Sequence, residues 1–589
     1  MVAARSTADT AHSSGRVGTF VASVAAAWLG LSAAPGCASA SKNNAPQVNP
    51  AMLAREADAE LERGCYRCLL ASAEKYEAAI AAGAESLDLA AAGAWALAAV
   101  RERELGLQPS DAMERARSHQ LKPSSAKEEM TVKGRAGGPA PSPVPSEVIE
   151  AYIRIVSSLP LLNEGVSKEA QEAASRVARE LTNGTSMEAV RSRPAREGML
   201  APPERPEPRA VAVLRQRAAL GHDPAASYLI QSLACSWLQR TAYLGPPAKE
   251  AGTTDGGEPP TGLMAFRSAT CAREADPARA ADALNRLAEM DPRFHEAHYF
   301  LGHLRLGEMK LVSAEREFLA AASGLPGMTA AWAMLGATRL SMEEYEWAAA
   351  DLARALEIEP NQREAMLAQA RALNYAGRFE EALAPTRRLL ELGAWYVSDA
   401  NYWLAFSELQ LGSLQDADIH AREAKRTNPM NGDTARLSGL VAHRLAEFER
   451  ARHEFDLAVS RNASDCESHL HLGMIHGQLE RFEASVGAFV RARDCYAVVA
   501  DSASVRRNEI DASSLPEPRK EIARARLAQR VAGYRRAQAG ASLGAAEGET
   551  QGGAYDKALA HLDGAAVEPD LSARVGELRT RIAALRARR

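Results

Sequence analysis

At 589 residues the chain is long enough for several domains or one extended helical array. Its 70 basic side chains against 75 acidic ones leave a formal net charge of −5, which excludes a basic field for nucleic acid. Apolar residues make up 46% and aromatics only 5%, Ala and Leu dominate, and no run of β-branched residues alternates with polar ones, so the chain reads as all-α.

Arg5 and Arg16 precede an apolar stretch from Val17 to Ala34, the pattern of a secretory signal over residues 1–36. Two exits stay open. Ala34-Pro35-Gly36-Cys37 resembles a bacterial lipobox, in which Cys37 carries lipid and becomes the mature N-terminus; Pro35, and Ala34 at the usual Leu position, depart from that motif. The alternative is ordinary cleavage after Ala38-Ser39-Ala40. No other segment reads as a membrane span, so membrane attachment is expected only through lipid on Cys37. Residues 37–50 form a polar tether.

Residues 51–121 read as helices, in which Leu61, Gly64, Tyr66, Leu70, Tyr76 and Ala79 have the spacing of a divergent form of the repeat described below. Cys65 and Cys68 make a Cys-x-x-Cys pair and are candidates for a disulfide; no His follows for haem attachment, and no second pair completes a zinc site. Residues 122–146, rich in Lys, Ser, Gly and Pro, read as a linker. Residues 147–268 are helical with Pro-rich breaks, and Cys235 and Cys271 are the remaining cysteine pair.

From His295 a pattern recurs every 34 residues. Leu301-Gly302, Ala314, Phe318, Ala321 and Pro326 are followed by Leu335-Gly336, Ala348, Leu352, Ala355 and Pro360 at the same offsets, with Trp332 at an aromatic position. Gly439 and Gly473 hold the glycine position further on, and Ala370 and Ala405 fill it between. This pattern resembles the tetratricopeptide repeat. The small residues suit a close helix crossing, the Phe or Leu is expected to fill the space between neighbouring units, and the Pro ends the second helix. The resemblance covers about 269–495 in six clear units plus a degenerate one, and implies a right-handed superhelical solenoid of helix-turn-helix repeats. Within such a unit, Cys466 and Cys495 fall at the start of the first helix and the end of the second, which places them at one end of an antiparallel pair and makes a disulfide feasible.

Residues 496–533 read as a charged helical insertion with a break at Pro516-Glu517-Pro518, and 534–589 as a terminal repeat with a capping helix. Motifs of catalysis fail on context. Gly540-Ala541-Ser542-Leu543-Gly544 matches a nucleophile elbow but follows a helical stretch where that elbow needs a strand. Ser72-Ala73-Glu74-Lys75 lacks its companion motifs, and in His295-Glu296-Ala297-His298 the second His comes one residue too early for a zinc pair. No enzyme, cofactor or metal is expected.

What remains is a groove. In this repeat family the first helix of each unit lines the concave face, and the resemblance places Tyr299, His303, Arg371, Asn374, Tyr375, Tyr402, Phe406, Arg436, His443 and Arg444 there. Aromatic area and arginines suit a protein or peptide partner of acidic character. The expected function is a protein-binding scaffold of the cell envelope; the rival is a structural component of an envelope or secretion assembly that uses the solenoid edges.

Overall fold

The computed structural model describes residues 49–84, 87–119, 145–158, 213–214, 223–229, 261–273, 276–393, 396–566 and 568–588. The expected signal segment, Cys37, the linker as far as residue 144 and Cys235 lie outside them. Every regular element among the described residues is helical, and none of these helices is long and apolar enough to cross a membrane.

The helices that precede the clear repeats include α1 (Pro50–Arg63), α2 (Tyr66–Ala81), α3 (Asp88–Leu105), α4 (Ala112–Ser118), α5 (Pro145–Ser158), α6 (Gly262–Ala272) and α7 (Pro277–Met290). The expected linker thus ends at 144 rather than 146, because Pro145 suits the first turn of a helix, where its missing N–H costs nothing. α3 is buried from Ala91 to Val100 on all sides, which explains a run of Ala, Trp, Leu and Val with no polar stripe.

Six antiparallel pairs follow. They are α8 (His295–Gly307) with α9 (Leu311–Gly324), α10 (Thr329–Ser341) with α11 (Tyr345–Ile358), and α12 (Arg363–Tyr375) with α13 (Phe379–Glu391). Then come α14 (Val397–Leu411) with α15 (Leu414–Thr427), α16 (Gly432–Arg444) with α17 (Phe448–Arg461), and α18 (Cys466–Gln478) with α19 (Phe482–Asp501). We call the first helix of each pair A and the second B. Among the described residues the array is an all-α solenoid of helix-turn-helix repeats. Pro326, Pro360 and Pro429 each stand two residues past the end of a B helix.

The glycines set how closely A and B cross. A Cβ on Gly302 would lie 2.6 Å from the Phe318 ring, and one on Gly473 would lie 2.6 Å from Phe489. The bulky residue therefore fills the crossing inside its own unit, not the gap between units as expected from sequence. Phe489 does both, since a Cβ on Gly544 of the last repeat would also lie 2.6 Å from it.

The A–B turns repeat as regularly. Met309, Glu343, Gly377, Gly412, Ala446 and Glu480 all have positive φ, from 57° to 84°. Each lets the next N–H reach back over the helix end: Lys310 to the Arg305 carbonyl at 2.9 Å, Glu447 to that of Ala442 at 2.9 Å.

The N-terminal helices dock directly on the first units. The Arg101 guanidinium and the Glu296 carboxylate, both fully buried, lie 3.4 Å apart. The Tyr66 N–H donates to Glu296 at 2.6 Å, Arg101 donates to the Gly64 carbonyl at 3.2 Å, and its guanidinium lies 3.8 Å from the Phe266 ring centre. Arg67 donates to the Gly324 carbonyl at 2.7 Å. After the last clear unit come α20 (Ala503–Ala512), α21 (Glu517–Gln551), α22 (Tyr555–Ala565) and α23 (Ser572–Ala587). The boundary expected at 533/534 falls inside α21, because nothing between Pro518 and Gln551 breaks a helix beyond a few tolerated glycines.

Two predictions follow from this packing. Ala446→Gly relieves a left-handed alanine and raises stability by about 1 kcal/mol, whereas Gly302→Ala drives a methyl into the buried Phe318 ring and costs about 1–2 kcal/mol; urea unfolding of each variant measures both. Glu296→Ala removes the fully buried carboxylate beside Arg101, leaving it Glu104 at 3.6 Å, and costs about 3 kcal/mol, while the double change Arg101→Met/Glu296→Leu recovers most of it, with amide exchange in α1–α3 as the second readout.

Candidate binding groove

From α10 through α16 each A helix touches the next, and no two successive B helices approach as closely, so the array curves with the A helices on its concave side. On that side an aromatic ladder runs through three consecutive units. Ring centres are 5.2 Å apart for Tyr345 and Tyr375, 5.3 Å for Tyr375 and Trp403, and 5.0 Å for Tyr402 and Trp403. Trp403 is 5.8 Å from Phe406, which is 6.3 Å from Phe379. Trp403 is buried, Tyr375 is 49% exposed, and the others are half-buried, so the ladder offers apolar area that is anchored beneath.

The cations sort into two kinds. Arg371 lies one helical turn from Tyr375, on the same face, exposed and without an ion pair; Arg444 is likewise exposed and unpaired. Arg436 is different. It donates to Glu467 at 2.5 Å and to Asp433 at 3.2 Å, with Asp465 at 3.6 Å, so its charge is already answered within the protein. This corrects its expected role as a holder of partner carboxylates.

Four further expectations are corrected. Tyr299 is buried, edge-on to His303 at 4.6 Å and beside Phe318, so it is core rather than groove. His303 shares that apolar site, and burial holds its imidazole down to about 4. Asn374 is buried too: its amide donates to the Ala370 carbonyl at 2.9 Å and accepts from the Ser407 hydroxyl at 2.8 Å, tying one unit to the next. His443 meets His471 with their Nδ1 atoms 3.2 Å apart, and Phe455 stacks on His471 at 5.1 Å. Burial lowers both imidazoles, His471 to about 4, so the pair is neutral at pH 7 and presents no cation. Tyr402 and Phe406 do reach the groove, and burial pushes the Tyr402 phenol up to about 12. The groove members missed from sequence are Tyr345 and Phe379, with Trp403 buried beneath the ladder. Tyr345 and Phe379 open the B helices of successive units, a position that Phe448 and Phe482 take further on, so the repeat period held the signal.

Elsewhere the reactive residue types are structural. Ser542 sits mid-helix in α21 and donates to the Gln538 carbonyl at 3.2 Å; Ser72 is buried and donates to the Ala57 carbonyl at 2.8 Å. His469 reaches the Ala463 carbonyl at 3.1 Å, as Trp332 donates to that of Pro326 at 3.0 Å. Cys65 and Cys68 are disulfide-bonded, as are Cys466 and Cys495, with Cα atoms 4.9 and 5.4 Å apart. Cys271 is disulfide-bonded as well. Asp291 lies beside the Cys65–Cys68 sulfurs, but those sulfurs are bonded to each other rather than present as thiolates.

No family model matches the chain, and no curated protein matches it either. Solved structures do. A structure of Pseudomonas aeruginosa PilF is 18% identical and covers 35% of this chain and 95% of its own, with a TM-score of 0.31. YrrB, described as a TPR protein with an unusual peptide-binding site, is 17% identical over 30% of this chain and 91% of its own, with a TM-score of 0.26. A tetratricopeptide repeat protein from Parabacteroides merdae is 15% identical over 39% and 93%, with a TM-score of 0.33.

The buried imidazoles make stability depend on pH. His303 and His471 resist protonation down to about 4 in the folded chain, against an ordinary 6.5 when unfolded. Below 6.5 the unfolded state binds protons that the folded state does not, so stability falls as pH drops from 6.5 towards 4. Each group costs about 2 kcal/mol at pH 5. His303→Phe keeps the ring packing and flattens the pH 7 to pH 5 loss by about that amount, measured by urea unfolding at both values.

Proposed function

We propose that this tetratricopeptide-type solenoid is a non-catalytic scaffold that binds a protein or peptide segment in its concave groove. The observation that carries this reading is the aromatic ladder with the unpaired Arg371 beside it. Anchored rings provide contact area with little ordering cost, and an unpaired guanidinium favours a carboxylate. A segment with acidic and apolar side chains fits; nucleic acid does not, because the chain carries no basic field. The site holds no nucleophile with a base beside it, so the mechanism is contact alone.

On the same reading the protein is exported and held at the envelope through lipid on Cys37. The paired cysteines support an oxidising compartment. Incorporation of labelled palmitate, abolished by Cys37→Ser, is the expected result. A mature N-terminus at Ser41 without label would assign ordinary cleavage instead.

The groove is tested by capture from the native envelope fraction with the mature protein and an Arg371→Ala/Tyr375→Ala variant. Both residues are exposed, so the variant keeps its fold, and binding weakens by about tenfold or more. A partner held equally by both proteins would move the contact to the solenoid edges.

A further inference from the structure

The A helix of the last repeat does not start with that repeat. In α21 the buried residues run from Ala539 to Thr550, and Gly544 packs on Phe489. This half belongs to the concave layer. The same helix continues upstream to Glu517, and that extension, with α20 before it, buries no residue. Residues 503–533 carry seven basic and four acidic side chains.

This strap reaches back across the array. Arg519 donates to Glu344 at 2.5 Å and to Glu315 at 2.7 Å, and its guanidinium lies 5.2 Å from the Trp347 ring centre. Arg526 donates to the Glu343 carbonyl at 2.7 Å, and Arg530 pairs with the Glu343 carboxylate. These partners stand 175 to 204 residues earlier in the chain. At the other end of the strap Tyr534 lies 6.2 Å from Tyr496, in the B helix of the sixth unit. The strap therefore joins the sixth unit to the first and second, while the chain between them passes through α12–α17, which carry most of the aromatic ladder.

The strap's contacts with the first and second units are made mainly by its arginines. Between it and the repeats lies a cavity of about 580 Å³, whose lining includes Met309, Leu311, Trp347, Leu515 and Ile522. Side chains there do not interdigitate into a core, and the Arg–Glu pairs bridge the gap. A helical segment with no buried face is marginal by itself, so these pairs decide whether it stays docked.

We propose that residues 503–533 are a charge-held clasp that closes the repeat array around its groove and opens to admit the partner. The second half of this proposal rests on the groove reading above; the first half does not. Hydrogen exchange of the full chain, without any partner, tests the clasp. Amides of 517–533 are expected to be protected at low salt and to exchange about tenfold faster or more in Arg519→Glu/Arg530→Glu. The repeats keep wild-type exchange, since neither position supports a core. Raising NaCl from 0.05 to 1 M is expected to speed exchange of 517–533 in the wild type and to change the variant little. Equal exchange of 517–533 in the two proteins would overturn the clasp. Capture of the groove partner tests the gate: the opened variant binds at least threefold more tightly, and equal binding would overturn gating while leaving the groove intact. Failure of the groove itself shows separately, as capture insensitive to Arg371→Ala/Tyr375→Ala.

Discussion

The close crossing of A and B helices is the constraint on which the rest depends. Where Gly302 or Gly473 removes the Cβ, an aromatic ring from the B helix sits directly on the A-helix backbone. That contact sets the angle within each unit. Repetition of the angle sets the curvature, and curvature brings successive A helices together on one side. A concave surface is thus a consequence of small residues at one offset, repeated. The left-handed turn residues reinforce it, because each ends the A helix at the same height and returns the chain at the same pitch.

The array is not free at either end. Its first units are covered by α1–α3 and α6 through a mostly apolar junction with one fully buried ion pair at its centre, Arg101 with Glu296. Pairs of this kind add little net stability against an apolar alternative, but they penalise misregistered docking strongly. At the other end the contacts differ in physics. The last repeat is joined through Phe489 and a shared apolar cluster, whereas the strap ahead of it is joined by arginines and glutamates with no buried residue.

The groove between them is defined as much by what is already satisfied as by what is exposed. Arg436 and Asn374 occupy groove-lining offsets, yet their polar groups are paired within the protein. His303, His443 and His471 are neutral because burial opposes their charge. Subtracting these leaves a narrower surface of Tyr375, Tyr402, Phe406 and Arg371, with Arg444 further along. It is a mainly apolar strip with few charges.

The repeat, its period and its helical class were legible in sequence, because each unit is stabilised by contacts a fixed distance apart along the chain: Gly302 with Phe318, Gly336 with Leu352. The same locality let Cys466 and Cys495 be placed at one end of a helix pair. Contacts between distant residues carry no such periodic trace. Nothing in the spacing of Arg101 and Glu296 announces that they meet, and nothing in Arg519 and Arg530 announces Glu344 and Glu343. Nor do offsets alone separate Arg371, which is free, from Arg436, which is neutralised, since that depends on which acids the next unit brings near. Sequence by itself determined the units and the direction of their curvature. Tertiary structure decided what each end docks against and which groove residues remain available, because those outcomes depend on charge and burial summed over residues far apart in the chain.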